Sequence, residues 1–104
     1  MAEGGLTSSQ RAFLRSAGRG LTPAARVGRA GASSNVVEHV RGLLAGRELV
    51  KVRLAAVGAD RRPAAEALAA AVGAHLVDLV GRNAVLYRPD EALPPTQRLA
   101  LPES

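Results

Sequence analysis

From Thr7 onward the chain alternates between stretches whose apolar residues recur every three to four positions and stretches where they recur every second position. These are the spacings of a helix face and of a strand face. Thr7-x-x-Gln10 reads as a capping box in which hydroxyl and amide side chains satisfy free backbone donors reciprocally. It predicts a helix from about Ser8 to Ala17, with Phe13, Leu14 and Ala17 turned inward and Arg11, Arg15 and Arg19 on the opposite face. Gly18, Gly20 and Pro23 interrupt that pattern, and Ala24 to Val27 reads as a short strand. Ser33 and Ser34 are natural N-caps for a second helix carrying Val36, Val37, Val40, Leu43 and Leu44 on one stripe and ended by Gly46. Leu49 to Leu54 alternates as a strand. Gly58 to Pro63 then opens an alanine-rich helix that runs to Val72 and stops at Gly73. His75 to Val80 and Ala84 to Tyr87 read as two strands of a hairpin around Gly81-Arg82-Asn83. The order α-β-α-β-α-β-β predicts an α/β sandwich with helices packed on a mixed four-stranded sheet. No internal repeat is visible.

With 104 residues the chain has the size of one compact domain. Residues 1 to 5 are expected to be a flexible N-terminus, residues 6 to 89 the folded domain, and residues 90 to 104 an irregular acidic tail containing Pro94, Pro95 and Pro102. There is no cysteine, which removes disulfides and thiolate metal sites. No basic leader precedes an apolar run, and nothing approaches the roughly 18 apolar residues of a membrane span. A cytoplasmic monomer with no membrane association is the expectation.

Charge changes the picture. Lys and Arg number 14 against 9 Asp and Glu, and every basic residue except Lys51 is an arginine. The tail holds Asp90, Glu91 and Glu103 against Arg98, so the basic excess is concentrated in the folded body. A surface of that kind suits a polyanion. Arg11, Arg15 and Arg19 have no acidic residue among them to form helix-face pairs, so they repel one another unless an anion is nearby. A solvated charge face is the competing account of the same stripe.

Gly28-Arg29-Ala30-Gly31 lies between a strand and a capped helix, where unpaired amides and the positive end of the helix dipole point outward together. Two glycines let a phosphate backbone approach the main chain, and K-homology domains clamp RNA with a loop of this form. With 11 glycines in the chain, about one G-x-x-G is expected by chance. A turn that uses glycine only for positive φ is the competing account. Arg26 beside the loop, Arg29 within it and the cap at Ser33 weigh towards an anion site.

Four blocks carry a more specific signal: Leu6-Thr7-x-x-Gln10-Arg11-x-x-Leu14-Arg15; Leu21-x-Pro23-x-x-x-Val27-Gly28-x-x-Gly31; Glu48-Leu49-Val50-Lys51-Val52; and Gly81-Arg82-x-x-Val85-Leu86-Tyr87-Arg88-Pro89. Together they resemble the CRM domain family, and within it the stand-alone bacterial proteins of the YhbY type. The resemblance covers about residues 6 to 89. It implies a fold similar to the C-terminal domain of bacterial translation initiation factor three. It also implies RNA binding through Gly28, Arg29, Ala30 and Gly31, and association with ribosomal RNA in precursors of the large (50S) subunit. Family loops usually carry a basic or polar residue at the third position and Leu-Thr after the second glycine, whereas this chain has Ala30 and then Ala32-Ser33. That departure implies a leaner phosphate clamp, with Arg29 and the first-helix arginines supplying much of the affinity. Arg82 and Arg88, which flank the hairpin, are candidate extensions of the surface.

Other chemistry is sparse. His39 and His75 have no cysteine or close carboxylate pair with which to build a metal site or a triad, so neither enzymatic activity nor a cofactor or small-molecule substrate is expected. Phe13 and Tyr87 are too few for a stacking platform and are assigned to packing. The leading function is RNA binding in ribosome assembly. Two alternatives are a CRM module for an intron or regulatory RNA, and a protein-interaction or ligand-sensing α/β domain whose charge only confers solubility.

Overall fold

The computed structural model describes residues 5–103, so the flexible N-terminus expected over residues 1 to 5 lies, except for Gly5, outside the described residues. Seven elements follow in the predicted order: α1 (Ser8–Arg19), β1 (Ala25–Val27), α2 (Ser34–Leu44), β2 (Leu49–Leu54), α3 (Arg61–Val72), β3 (His75–Val80) and β4 (Asn83–Tyr87). The caps form where the local chemistry calls for them. The Thr7 hydroxyl accepts from the Gln10 amide while the Gln10 side chain accepts from the Thr7 amide, and Gly73 closes α3 in the left-handed conformation with φ 73°.

The sheet order is β1-β2-β4-β3. β1 runs parallel to β2 across the α2 crossover, and the other two pairings are antiparallel, so the sheet is mixed as expected. Side-chain alternation divides it into two faces. Val27, Val50, Val52, Leu54, Ala84 and Leu86 join Val40 and Leu44 of α2 and Ala65, Leu68, Ala69 and Val72 of α3 in the main core. Leu49, Val77, Val85 and Tyr87 face the other way and pack with Leu14 of α1. The result is a three-layer sandwich with α1 alone on one side.

Two expectations need correction. Phe13 does not face inward but is 37% exposed. The buried ridge of α1 is Leu14 and Gly18, four residues apart, and Phe13 is about 100° from Leu14 around the axis. A Cβ on Gly18 would stand 2.9 Å from Val85 Cγ1, so this glycine lets the helix seat closely on the sheet and sets its rotation. With that rotation the arginine stripe is not opposite the buried face either. It flanks it, and Arg11 is half-buried.

The segment after residue 89 is irregular apart from one 3-10 turn at Pro95–Gln97, yet it is tied down. Leu99 and Leu101 pack on the Leu14–Tyr87 cluster, and the Pro102 carbonyl accepts from Gln10 Nε2 at 2.9 Å. Glu48, only 2% exposed, holds the strap in place. Its carboxylate accepts from the Asp90 amide and from the Leu99 amide, each at 2.7 Å, and its own carbonyl accepts from the Arg88 amide. Burying a carboxylate is tolerable when its lone pairs are met in this way. Glu48 also takes φ 66°, a strained conformation for a residue with a side chain.

Candidate nucleic-acid interface

The glycine loop is a turn at the C-terminal end of β1. The Gly31 amide donates to the Gly28 carbonyl at 3.0 Å and the Ser33 amide to the Gly31 carbonyl at 2.8 Å. Arg29 and Ala30 fill the two central positions with negative φ, and Gly31 follows at φ 73°. Ser33 accepts from the Val36 amide and so caps α2; this fully explains its side chain. The amides of Arg29, Ala30 and Ala32 donate to no atom of the described residues, which leaves three backbone donors on the loop for an incoming anion.

The two glycines have different reasons to be there. Gly31 is demanded by its left-handed backbone. Gly28 is not: its φ is ordinary, and a Cβ placed on it would meet nothing within 4 Å. Neither conformation nor packing asks for glycine at position 28.

Around Gly28 the sheet end collects charge. Arg26 on β1 and Arg53 on β2 stand in register on adjacent strands, and Arg26, Gly28, Arg53 and Arg82 border one shallow hollow. Arg82 is held across the end of β2 by its Nε, which donates to the Leu54 carbonyl at 3.0 Å, while its terminal nitrogens stay open. Like charges side by side on neighbouring strands are unfavourable without a counter-ion. The single ion pair among the described residues is an exposed Arg62–Glu66 contact at 3.9 Å, so none of these three arginines is paired with an acid. Sequence reasoning passed over Arg53, although strand alternation places it outward beside Arg26.

Arg88 does not belong to this surface. It follows β4 and Arg82 precedes it, which puts them at opposite ends of a strand and about 20 Å apart; Arg88 borders Leu44, Ala45 and Asp90 instead. Arg11, Arg15 and Arg19 form a second basic surface. Together with Arg62 they line a groove of about 550 Å³ that follows β3 from Leu76 to Val80, and β3 is the sheet edge opposite β1. Arg11 is partly spent on structure, since its guanidinium donates to the Leu76 carbonyl at 2.9 Å. Arg15 and Arg19 are exposed. Arg62, from the first turn of α3, had no signal in the sequence pattern that linked it to the first helix.

The remaining candidates are structural. Tyr87 is buried and stacks on His75 with ring centroids 6.0 Å apart. Burial, and secondarily the Arg11 charge, push His75 below its usual range. Burial and then Glu48 raise Tyr87, against a smaller opposing effect of Arg98. His39 is exposed on α2. No helix of the described residues is long and apolar enough to cross a membrane.

An exposed glycine turn flanked by arginines thus stands at one end of the sheet of a three-layer α/β sandwich. The CRS1 / YhbY (CRM) domain model matches residues 6–88, and the chain belongs to that family. It is 38% identical over 84 residues to "Probable RNA-binding protein YqeI" of Bacillus subtilis, a match covering 80% of this chain and 88% of that protein. The fold is similar to the solution structure of SAV1595 from Staphylococcus aureus, which is described as a candidate RNA-binding protein. That likeness has a TM-score of 0.78 at 29% identity and covers 94% of this chain and 100% of the other.

Proposed function

We propose that this CRM protein binds RNA, that its RNA is ribosomal RNA in precursors of the large (50S) subunit, and that it acts there as an assembly factor without a reaction of its own. The observation that carries the RNA reading is Gly28, a glycine the fold does not need, flanked by Arg26, Arg29, Arg53 and Arg82, none of which forms an ion pair. Phosphate oxygens answer both features, because they approach bare backbone and discharge the arginines. The Gly28–Gly31 turn with Arg26, Arg29, Arg53 and Arg82 is the main contact, and the groove of Arg15, Arg19 and Arg62 holds a further stretch of backbone. Family membership and the names of the relatives support the RNA reading. The ribosomal target rests on the likeness to YhbY-type proteins.

The test is crosslinking in cells followed by sequencing of the bound RNA, read beside sedimentation on sucrose gradients. The expected result is enrichment of large-subunit ribosomal RNA and co-migration with 50S precursors. Crosslinks confined to other transcripts would remove the ribosomal assignment while retaining RNA binding.

A further inference from the structure

Continuous with the arginine hollow, and sharing Gly28 and Arg82 with it, lies a groove of about 610 Å³ that adds an apolar lining and an acid. Gly28, Arg29 and Gly31 of the turn line it together with Ala55, Ala56, Val57 and the exposed Asp60. Val57 is 59% exposed, an apolar side chain left in water with nothing in the fold covering it. Asp60 is an acid within a surface otherwise suited to phosphate. It stands at the N-cap of α3 without capping it, and among the described residues its carboxylate has no hydrogen-bond or ion-pair partner.

Both features are wrong for a phosphate. An unpaired carboxylate repels it, and an alanine–valine lining offers it nothing. Both are right for a nucleobase whose own phosphate sits on the glycine turn: the flat face of the base covers the apolar lining, and its edge donors reach the carboxylate. A carboxylate presents two parallel acceptors and matches an edge with two adjacent donors. Guanine has that edge, N1–H beside N2–H. Uracil offers a single N–H between two carbonyls, while cytosine and adenine place a ring acceptor next to their amino group.

The geometry points to this groove as a base-reading subsite in which Asp60 selects an unstacked guanine of single-stranded RNA. This rests on the RNA reading above and adds a specificity to it. Arg29 and the turn amides fix the phosphate and the register; Asp60 reads the base.

The test uses the full chain and uridine oligonucleotides carrying one central G, A, C or U, with binding followed by fluorescence anisotropy. Wild type is expected to favour the G oligonucleotide on the order of tenfold, within the range of one bidentate base contact. Asp60→Asn should erase the preference, because it replaces one of the two acceptors by a donor. Asp60→Ala should erase it too and leave affinity for the all-U oligonucleotide unchanged or slightly raised. Gly28→Asp should weaken all four oligonucleotides and keep their ranking. Salt-sensitive binding with no base preference, or a preference that survives in Asp60→Ala, would overturn the subsite and spare the RNA reading. Failure to bind any oligonucleotide would overturn both. Displacement of the G oligonucleotide by equimolar 5′-GMP would assign the groove to a free nucleotide and overturn the proposal.

Discussion

The two ends of the sheet treat charge in opposite ways. At the Glu48 end a carboxylate is almost wholly removed from water, and its oxygens are met by the Asp90 and Leu99 amides. At the Gly28 end Arg26, Arg29, Arg53 and Arg82 gather at the surface, none of them in an ion pair, with the Asp60 carboxylate across the adjoining groove. A charge that is completed inside the molecule stabilises the fold, and its removal is felt there. Charges left without an acidic partner at the surface add little to the fold and are free to meet an anion from outside. The same sheet therefore separates a structural end from the end where the proposed RNA contact lies.

Substitutions at the two ends should dissociate. The largest expected effect is on binding: Gly28→Asp brings a negative charge against incoming phosphates, and like-charge juxtaposition of several kcal/mol lowers RNA affinity about a hundredfold or more. Because a side chain there meets open space, the thermal midpoint should stay within a degree or two of wild type, read by circular dichroism. A large drop in the midpoint would mean that Gly28 belongs to the structural end after all. Next comes Glu48→Gln, which confronts one of the two backbone donors with an amide N–H. A loss of about 2–3 kcal/mol in urea unfolding is expected, with RNA affinity per folded molecule unchanged.

The smallest effect concerns the β3 edge. Replacing Arg15 and Arg19 by glutamine should weaken every RNA sequence alike and reduce the log–log salt slope by about 0.7 for each phosphate released on a single strand. Stability should hold, because both side chains are exposed. An unchanged slope would show that the groove is a solvated face and would confine binding to the Gly28 end. Arg11→Gln is a poor substitute for this measurement, since it also removes the contact to the Leu76 carbonyl.

Most of the fold was legible because its signals are local. A capping box, period-two and period-four apolar spacing, and glycine at helix ends each act over a few residues, and all seven elements appear where those signals stand. What escaped depends on partners far along the chain. Gly18 fixes the rotation of α1 only because Val85 is its neighbour across the sandwich, so Phe13 could not be assigned from its own helix. The tail is held by residues 42, 51 and 92 positions away, and no periodicity reports such contacts. In the candidate site, the turn and its arginine neighbours were readable in sequence. Arg53 was readable too, from alternation, once the parallel pairing of β1 and β2 is known. The distance between Arg82 and Arg88 follows from the length of one strand, whereas Asp60 and Val57 acquire meaning only when the chain brings their loop across from Gly28.

The hydrogen bond between Gln10 and the Pro102 carbonyl has an architectural corollary. It brings together segments 92 residues apart in sequence, so the start of α1 and the end of the strap are neighbours in space. A short flexible linker can join them, and the chain can be reopened elsewhere as a circular permutant. The exposed Ala45-Gly46-Arg47 connection is the natural place for the new ends, since it lies at the Glu48 end and leaves the glycine turn and its arginines uncut.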